Sequence, residues 1–442
     1  GDDSTAYHDF KKYYDNHLRL EKEGTDLIQA TLNRAKEKGM EAFITYRMND
    51  LHFADTAMPC LIHCPDFWME HKEYWLRDST QGYHSEGALN FAIEEVRKYK
   101  YDVICEQLER YEMIDGFELD FMRFIVYFHA DSGQYYAPLM TDLVKKVRKK
   151  VDEVSAERGK KILLAVRVPI TLEACSDKGL DIKDWIQQGL IDFLTIGVHW
   201  TGDPAMPVRK FREDFGTEIP VPVYATIDDG GFRPREFYSH GMIRGAASHA
   251  LAQGADGIYL FNYYLSEYVA AGKKGIPEEG GMVCRIRTTD LLQETGHLKT
   301  LEGRNKTYSL SDGRPQYKVK PVTSLPLRVT PEKTSQASVF IGDRMQTRPE
   351  EVIMFLRTNN PASLEIKVNG TSIKDQKAAY TTLYDRNRGL KDEEKEYAYL
   401  IPADAIKYGD NEISFRTETD AYTVTRLDVT LKYGDVKTHG YF

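Results

Sequence analysis

The sequence Ile-Asp-Gly-Phe-Glu-Leu-Asp-Phe-Met-Arg, residues 114–123, places two carboxylates inside a run that otherwise has the apolar character of a buried β-strand. Because alternate side chains of a strand point to opposite faces, Glu118 and Asp120 share one face and the apolar residues around them share the other. If the apolar face packs under helices, the acidic face lines a barrel or a cleft. Buried carboxylates need partners, and Arg123 directly after the run is one candidate.

The composition and net charge limit which classes of protein and partner are compatible with this sequence. The chain has 442 residues, of which 41% are hydrophobic and 29% charged, enough for one large globular domain and a smaller one. A net charge of −9 without a long basic run argues against a nucleic-acid partner. No apolar stretch approaches the ~20 residues that span a bilayer, and the first residues lack a secretion signal pattern. We therefore expect either a processed protein of the periplasm or the extracellular space, or a cytoplasmic one.

The cysteines do not predict a disulfide framework. Their number, five, is odd, and they are mostly scattered. Cys60, His63 and Cys64 are close in sequence, but no second pair of ligands with matching spacing follows them. We expect neither a metal ion nor another cofactor.

From about residue 18 to 285, strand-like apolar runs alternate with longer helical patterns, which indicates parallel βα units. The first helix is predicted over 18–38. Strands are predicted at 41–47, 88–92, 114–121, 161–168, 192–199, 221–227 and 255–263. These are seven strands, whereas a (β/α)₈ TIM barrel has eight. We therefore predict a TIM-barrel domain over 1–300 whose first strand is missing or irregular.

After about residue 300 the pattern changes to short alternating strands separated by turn signals such as Asn369-Gly370. This spacing is typical of an all-β antiparallel sandwich, which we predict over 301–442 as an independent core. Its first strand is expected at 317–322.

Strand parity predicts which polar residues face the inside of the barrel. Polar side chains gather at the C-terminal ends of at least five predicted strands, the end on which TIM-barrel active sites are built. The expected substrate contacts are Arg47, Asn49, Asp50, His52, Arg123, Arg167, His199, Trp200, Asp229 and Asn262. Trp200 is placed to stack on a sugar ring, and Trp68 and Trp75 could form the rim.

Carboxylates, guanidiniums and flat aromatic rings suit a neutral, hydroxyl-rich substrate. A glycosidase needs one carboxylic acid to protonate the leaving oxygen and one carboxylate to act as nucleophile or base. We predict Asp120 as nucleophile or base and Asp228 as general acid, with Glu173 and Asp203 as competitors for the acid. Glu118 is expected one layer deeper, holding Arg167 or Arg47. On this basis Asp120→Asn would lower kcat by several orders of magnitude with little change in melting temperature, whereas Glu118→Gln would destabilise the fold.

Three segments together carry a resemblance: residues 47–52 (RMNDLH), 89–97 (LNFAIEEVR) and 115–124 (DGFELDFMRF). They resemble the barrel of the family-10-like glycosylhydrolases, many of which come from bacterial polysaccharide degraders. The likeness runs from about residue 40 to 300 and continues weakly into a terminal sandwich. It implies a TIM-barrel glycoside hydrolase acting on a poly- or oligosaccharide and places a strand-end acid at Asp120.

Two other classes of function compete with hydrolysis. One is a protein that binds glycans without cutting them. In that case the sandwich would bind the glycan through its tyrosines, Tyr380, Tyr384, Tyr397, Tyr399 and Tyr422. The other is a metal-dependent barrel hydrolase with Asp50, His52, His199 and Asp228 as ligands. The fold alone does not decide among these, because barrels support many chemistries.

Overall fold

The computed structural model describes residues 4–52, 54, 56, 64–82, 84–198, 205–228, 240–261, 263, 289–311, 318–359, 364–374, 376–377 and 394–434. Within these residues, no helix is both long enough and apolar enough to cross a membrane. The chain divides into two compact units. The first unit is Gly1–Leu194 with Ile219–Val221, and the second is Thr195–Glu218 with Pro222–Phe442.

The first unit is built of βα repeats. Its helices are α1 (Ser4–Lys22), α2 (Leu27–Glu37), α3 (Asp66–Glu70), α4 (Glu94–Arg110), α5 (Gly133–Arg158), α6 (Leu172–Asp177) and α7 (Ile182–Gln187). Its strands are β1 (Phe43–Arg47), β2 (Gly116–Asp120) and β3 (Leu163–Pro169), all parallel. The predicted strands at 41–47, 114–121 and 161–168 are thus confirmed.

Three further parallel strands follow along the chain, namely β4 (Phe193–Gly197), β5 (Val223–Asp228) and β6 (Gly257–Phe261). The order in the sheet is β1-β2-β3-β4-β5-β6. The described residues therefore form six parallel strands, and the closed eight-stranded barrel stays a prediction. The strand predicted at 88–92 is wrong, because Leu89 makes only an isolated bridge to Trp75 and the Phe91 N–H bonds to the Tyr127 carbonyl at 2.9 Å.

Residues 4–22 form helix α1, and the single helix predicted over 18–38 is instead divided between α1 and α2. Gly24 breaks the pattern with a φ of 78°, and Asp26 begins α2 as its N-cap. The Asp26 carboxylate accepts hydrogen bonds from the Gln29 N–H at 2.8 Å, from Arg110 Nη2 at 2.8 Å and from the Tyr111 hydroxyl at 3.0 Å. One buried carboxylate thus joins the start of α2 to the end of α4.

Replacing Asp26 by Ala should lower the free energy of unfolding at pH 7 by about 1–3 kcal/mol, because it removes a helix cap and leaves the buried Tyr111 hydroxyl without its acceptor. Burial acts to raise the pKa of Asp26, but hydrogen bonds from Gln29 and Tyr111 and the charge of Arg110 outweigh it and lower that pKa overall. A lowered carboxyl pKa stabilises the fold above the unfolded value of about 3.9, and this stabilisation is lost on acidification.

Urea unfolding of the Asp26→Ala variant at several pH values checks this expectation. The difference from the parent chain should shrink below about pH 4. Asp15→Ala is the matched control, because Asp15 pairs with Lys11 on the surface, with both side chains 54% exposed. A surface pair of this kind contributes about 0–1 kcal/mol. Equal stability of the two variants at pH 7 would contradict the role given to Asp26.

In the second unit, helices accompany a β-sandwich. The helices are α8 (Val208–Phe215), α9 (His240–Ala252), α10 (Thr289–Glu294) and α11 (Leu298–Leu301). The sandwich strands are β7 (Lys306–Ser311), β8 (Leu327–Val329), β9 (Ser335–Ile341), β10 (Glu351–Thr358), β11 (Glu365–Val368), β12 (Thr371–Ile373), β13 (Gln376–Lys377), β14 (Lys395–Ile401), β15 (Gly409–Arg416) and β16 (Tyr422–Lys432).

These strands form two antiparallel sheets, of order β13-β14-β10-β16-β7 with β8 on β16, and of order β12-β11-β15-β9. Asn369 and Gly370, with φ of 48° and 85°, form the tight turn between β11 and β12 that the sequence predicted. The strand predicted at 317–322 is wrong, because 318–322 is not a strand and the first strand, β7, lies earlier in the chain.

The core between the sheets is apolar, with Ile366, Val368, Ile413 and Phe415 among its buried residues. Tyr399 and Tyr422 are buried in this core and Tyr397 packs against it. These three tyrosines stabilise the sandwich instead of forming a glycan-reading surface, because alternation in β14 and β16 turns them inward. Tyr380 and Tyr384 lie outside the described residues.

Helix α9 packs directly on the sandwich. Every residue from His240 to Ala250 is buried. A Cβ atom added to Gly245 would lie 2.0 Å from the Thr307 carbonyl oxygen of β7, and one added to Gly342 would lie 2.3 Å from the Ser248 carbonyl oxygen. Ser248 also hydrogen-bonds the buried Tyr308 hydroxyl at 3.0 Å. The backbone of α9 therefore approaches β7 as closely as only glycine permits.

Candidate functional site

The parallel register of β1, β2 and β3 arranges the predicted polar residues in two rows. Arg47 and Asp120 are the last residues of β1 and β2, and Arg167, two residues before the end of β3, lies opposite Asp120. Thr45 and Glu118 lie two residues earlier in the row below. Since residues two apart in a strand share a face, both rows line the same side of the sheet.

Asp120 and Arg167 form a fully buried ion pair. Arg167 Nε donates to Asp120 Oδ1 and Nη2 to Oδ2, both at 2.9 Å, and neither side chain has exposed surface. The Met122 N–H donates to Oδ1 at 2.8 Å. A bidentate guanidinium and a backbone N–H fix the orientation of this carboxylate.

The carboxylate that holds Arg167 is therefore Asp120, which corrects the expectation that Glu118 compensates the arginines. Arg47 donates instead to Asp50 at 2.9 Å. Glu118 is 2% exposed, and among its contacts it accepts a hydrogen bond from the Thr45 hydroxyl at 3.1 Å. The reason is the register, which sets Asp120 beside Arg167 and Glu118 beside Ala165.

A second set of residues continues outward from the row as a chain of hydrogen bonds. Arg47 binds Asp50 Oδ2, the His52 N–H donates to Asp50 Oδ1 at 2.9 Å, and His52 Nδ1 contacts the same oxygen. Arg123 Nη2 contacts His52 Nε2. A guanidinium can only donate, so Nε2 accepts and the proton of the neutral imidazole lies on Nδ1. The side chains of Arg47, Asp50 and His52 are 37%, 35% and 34% exposed.

Electrostatics fixes the charge of this chain of residues. Burial acts to raise the pKa of Asp50, but the hydrogen bonds from His52 and Arg47 outweigh it and hold that pKa well below its usual range. Burial, followed by the nearby charge of Arg47, lowers the pKa of Arg123, while Asp50 acts in the opposite direction. Asp50 is therefore ionised throughout the neutral range, and it is reachable from solvent.

Lys100 was missed by the sequence interpretation. Its Nζ lies 5.5 Å from the ring centre of Tyr46 and 5.8 Å from that of Tyr99. Burial lowers the pKa of Lys100 to about 8, and the charge of Asp50 opposes this shift. The available signal was helical spacing, because the buried positions of α4 are Val96, Lys100, Ile104 and Leu108, which places a lysine in an apolar stripe.

Asn49 belongs to the framework of the first unit. Its Nδ2 donates to the Val126 carbonyl at 2.5 Å and to the Leu89 carbonyl at 3.1 Å, and the Leu89 N–H donates back at 3.3 Å. The side chain is buried. These bonds join the loops after β1 and β2, so Asn49 supports the backbone around the site.

Trp68 and Trp75 do not form a rim. They are buried and stacked on each other with ring centres 4.3 Å apart. Their indole N–H groups donate to the backbone carbonyls of Gly87 and Trp68 at 2.6 and 3.0 Å. Both rings therefore belong to a local core, because their polar atoms are satisfied inside the protein.

In the second unit, Asp228 is the last residue of β5, at the strand end where it was predicted. Its side chain is buried. Glu173 is exposed in the first turn of α6. Five other predicted residues lie outside the described residues, namely His199, Trp200, Asp203, Asp229 and Asn262.

Among the described residues, no group of three or more His, Cys, Asp or Glu side chains is arranged to hold a metal ion. The metal-ligand hypothesis combined Asp50, His52 and Asp228 with His199, which lies outside those residues. Cys105 and Cys175 are free thiols.

No family model and no curated protein sequence matches this chain. Solved structures give distant matches. An endo-β-1,4-mannanase from Thermotoga petrophila is 13% identical, with a TM-score of 0.44 over 90% of this chain and 81% of the mannanase. A Family GH18 chitinase from Chromobacterium violaceum is 10% identical, with a TM-score of 0.35 over 91% and 79%. A β-porphyranase of glycoside hydrolase family 86 from Bacteroides plebeius is 12% identical, with a TM-score of 0.25 over 78% and 83%.

These structural neighbours are glycoside hydrolases. At such identities and TM-scores, the similarity assigns neither a family nor an activity to this chain.

Proposed function

We propose that this chain is a glycoside hydrolase that cleaves a poly- or oligosaccharide at the C-terminal ends of β1, β2 and β3. One observation carries the proposal: Arg47 and Asp120 end β1 and β2, Arg167 lies beside Asp120 near the end of β3, and the partly exposed Asp50 and His52 follow Arg47 in the chain. Carboxylates held by cations at strand ends are what acid and base chemistry on a glycosidic bond requires.

In this proposal the residues have different tasks. Asp120 is the nucleophile or base, and its pairing with Arg167 holds the carboxylate in position. A substrate reaches it only after the covering side chains are displaced, because the side chain of Asp120 has no exposed surface. Asp50 is accessible, so the sugar meets it first, with Arg47 and His52 as adjacent hydrogen-bonding groups. Asp228 is proposed as the general acid from its place at the end of β5, and Glu118 as support one row below Asp120.

The test is release of reducing ends from a panel of polysaccharides and aryl glycosides by the purified chain. On a cleaved substrate, Asp50→Asn should lower kcat/KM by about 100-fold or more, because it removes the negative charge and turns one of the two oxygens that bind Arg47 and His52 into an amide nitrogen, which cannot accept from them. Asp102→Asn is the matched control, since Asp102 pairs with Lys98 on the surface of α4. An equal loss of kcat/KM in both variants, or no loss in Asp50→Asn, would contradict the proposed location of the active site at this end of the sheet.

The complete burial of Asp120 favours a second candidate function, glycan binding without cleavage. Such a protein would retain a polysaccharide on an affinity gel and release no reducing ends. In that case Asp50→Asn would weaken retention while Asp102→Asn would not.

A further inference from the structure

A groove in the second unit is formed by residues that the proposed reaction does not use. It lies between α8 and the outer face of β9 and β15, with residues 322–324 closing one side, and we call it the α8 groove. Its volume is about 900 Å³, within the ~300–1,000 Å³ of small-molecule sites.

Strand alternation explains why one wall of the α8 groove is polar. In β9, Ser335, Ala337, Val339 and Ile341 are buried toward the sandwich core, so Gln336, Ser338 and Phe340 point outward. The antiparallel register places Asp410 of β15 opposite Phe340, and Glu412 opposite Ser338. The wall thus offers an amide, a hydroxyl and two carboxylates beside one aromatic ring.

The opposite wall is helix α8, and an ion pair connects it to the sheet. Arg209 Nη2 lies 3.2 and 3.0 Å from the two carboxylate oxygens of Asp410. The Arg209 guanidinium also lies over the Phe340 ring, 5.3 Å from its centre. A guanidinium packed on an aromatic face is a fixed donor, since stacking and pairing restrict its rotamers.

The charges that line the α8 groove cancel. The cations are Arg209, Lys210 and Lys407, and the carboxylates are Glu213, Asp410 and Glu412. His249 at the base adds no charge at neutral pH. Burial lowers its pKa to about 4, which outweighs the opposite effect of the Phe340 and Met206 carbonyl oxygens, each 3.2 Å from a ring nitrogen.

Balanced charge argues against a strongly anionic or cationic ligand, and the polar wall argues against a purely apolar one. Closely spaced hydrogen-bond donors and acceptors can bind a ligand whose groups both donate and accept hydrogen bonds, as the hydroxyl groups of a sugar do. We propose that the α8 groove is a binding site for a neutral, hydroxyl-rich ligand of oligosaccharide size, separate from the residues of the proposed reaction.

The experiment is isothermal titration of the full chain with cellotriose, mannotriose and maltotriose, and with trigalacturonate as an acidic comparison. At least one neutral trisaccharide should bind. Ser338→Tyr, which fills the groove from β9, should weaken that binding at least tenfold. Ser372→Tyr is the matched control, because Ser372 is also exposed and lies on β12, at the opposite edge of the same sheet. Three strand spacings separate the two edges, roughly 14 Å, so this control should bind within twofold of the parent chain.

If Ser338→Tyr lowers stability, Gln336→Ala provides a second test, since it removes an amide of the groove without adding volume. It should weaken trisaccharide binding severalfold. Binding of trigalacturonate alone, of no neutral trisaccharide, or with equal strength in Ser338→Tyr would overturn the proposal. Reducing-end release by Ser338→Tyr should match that of the parent chain, so failure of the α8 groove and failure of the proposed hydrolysis are separate results.

Discussion

Asp120→Asn should lower the free energy of unfolding by about 3–5 kcal/mol, because it removes one charge of a buried ion pair with Arg167. Neither side chain of the pair has exposed surface, so water cannot take the place of the lost carboxylate. Urea unfolding followed by circular dichroism measures the change. Asp102→Asn is the control, because Asp102 pairs with Lys98 on the surface of α4 and is 53% exposed, so its loss should cost less than about 1 kcal/mol.

A double variant separates the loss of stability caused by the missing charge from a loss caused by altered packing. Asp120→Leu combined with Arg167→Met replaces the pair by apolar side chains of similar volume, and should recover most of the lost stability. It should not recover activity, since both charged groups of the proposed site are gone. An Asp120→Asn variant as stable as the parent chain would show that another group compensates Arg167.

The comparison with Glu118→Gln decides between the sequence-based and the structure-based assignment. The sequence interpretation placed the larger loss of stability at Glu118. The register places it at Asp120, and the amide introduced by Glu118→Gln would retain an acceptor for the Thr45 hydroxyl. We therefore expect Glu118→Gln to be the more stable of the two variants.

Expression of residues 1–300 without the sandwich should give insoluble protein. Helix α9 is buried from His240 to Ala250 and packs on β7, which this truncation removes. The truncated chain would expose an apolar helix face, and exposed patches of this kind cause aggregation. Soluble expression yield and thermal unfolding relative to the full chain are the measurements.

A point variant tests the same contact without truncation. Gly245→Ala should destabilise the full chain by about 1–3 kcal/mol, since the added Cβ lies 2.0 Å from the Thr307 carbonyl oxygen and forces the helix away from β7. The predicted boundary at 300 would be supported by a soluble, cooperatively unfolding 1–300 chain, and that result would contradict the importance of the contact between α9 and β7.

Local pattern alone predicted much of the first unit. The alternation in residues 114–123 placed Glu118 and Asp120 on one face. The helical periodicity of the sequence predicted a helix over 93–111, which agrees with α4 within one residue at each end. Turn chemistry located the turn at Asn369-Gly370. These predictions succeed because side-chain alternation, helical period and turn preference depend on neighbours a few residues away.

The predictions that failed depend on partners distant in sequence. Residues 88–92 have the composition of a strand but bond to Trp75 and Tyr127 instead of a neighbouring strand. Trp68 and Trp75 are of a residue type that often stacks on sugar rings, but here they stack on each other. Lys100 lies between two tyrosine rings, one of which belongs to β1. Composition does not specify such contacts, since each requires long-range packing.

By itself, the sequence determined that the two acids of β2 face the same side as the arginines of β1 and β3, because parity is a property of each strand alone. Only the tertiary structure decided that Asp120, and not Glu118, holds Arg167. A shift of β2 by two residues would keep every side chain on its face and exchange the two acids. The register between parallel strands is set by helices and loops packed far away in sequence, so only the folded chain assigns Asp120 to Arg167.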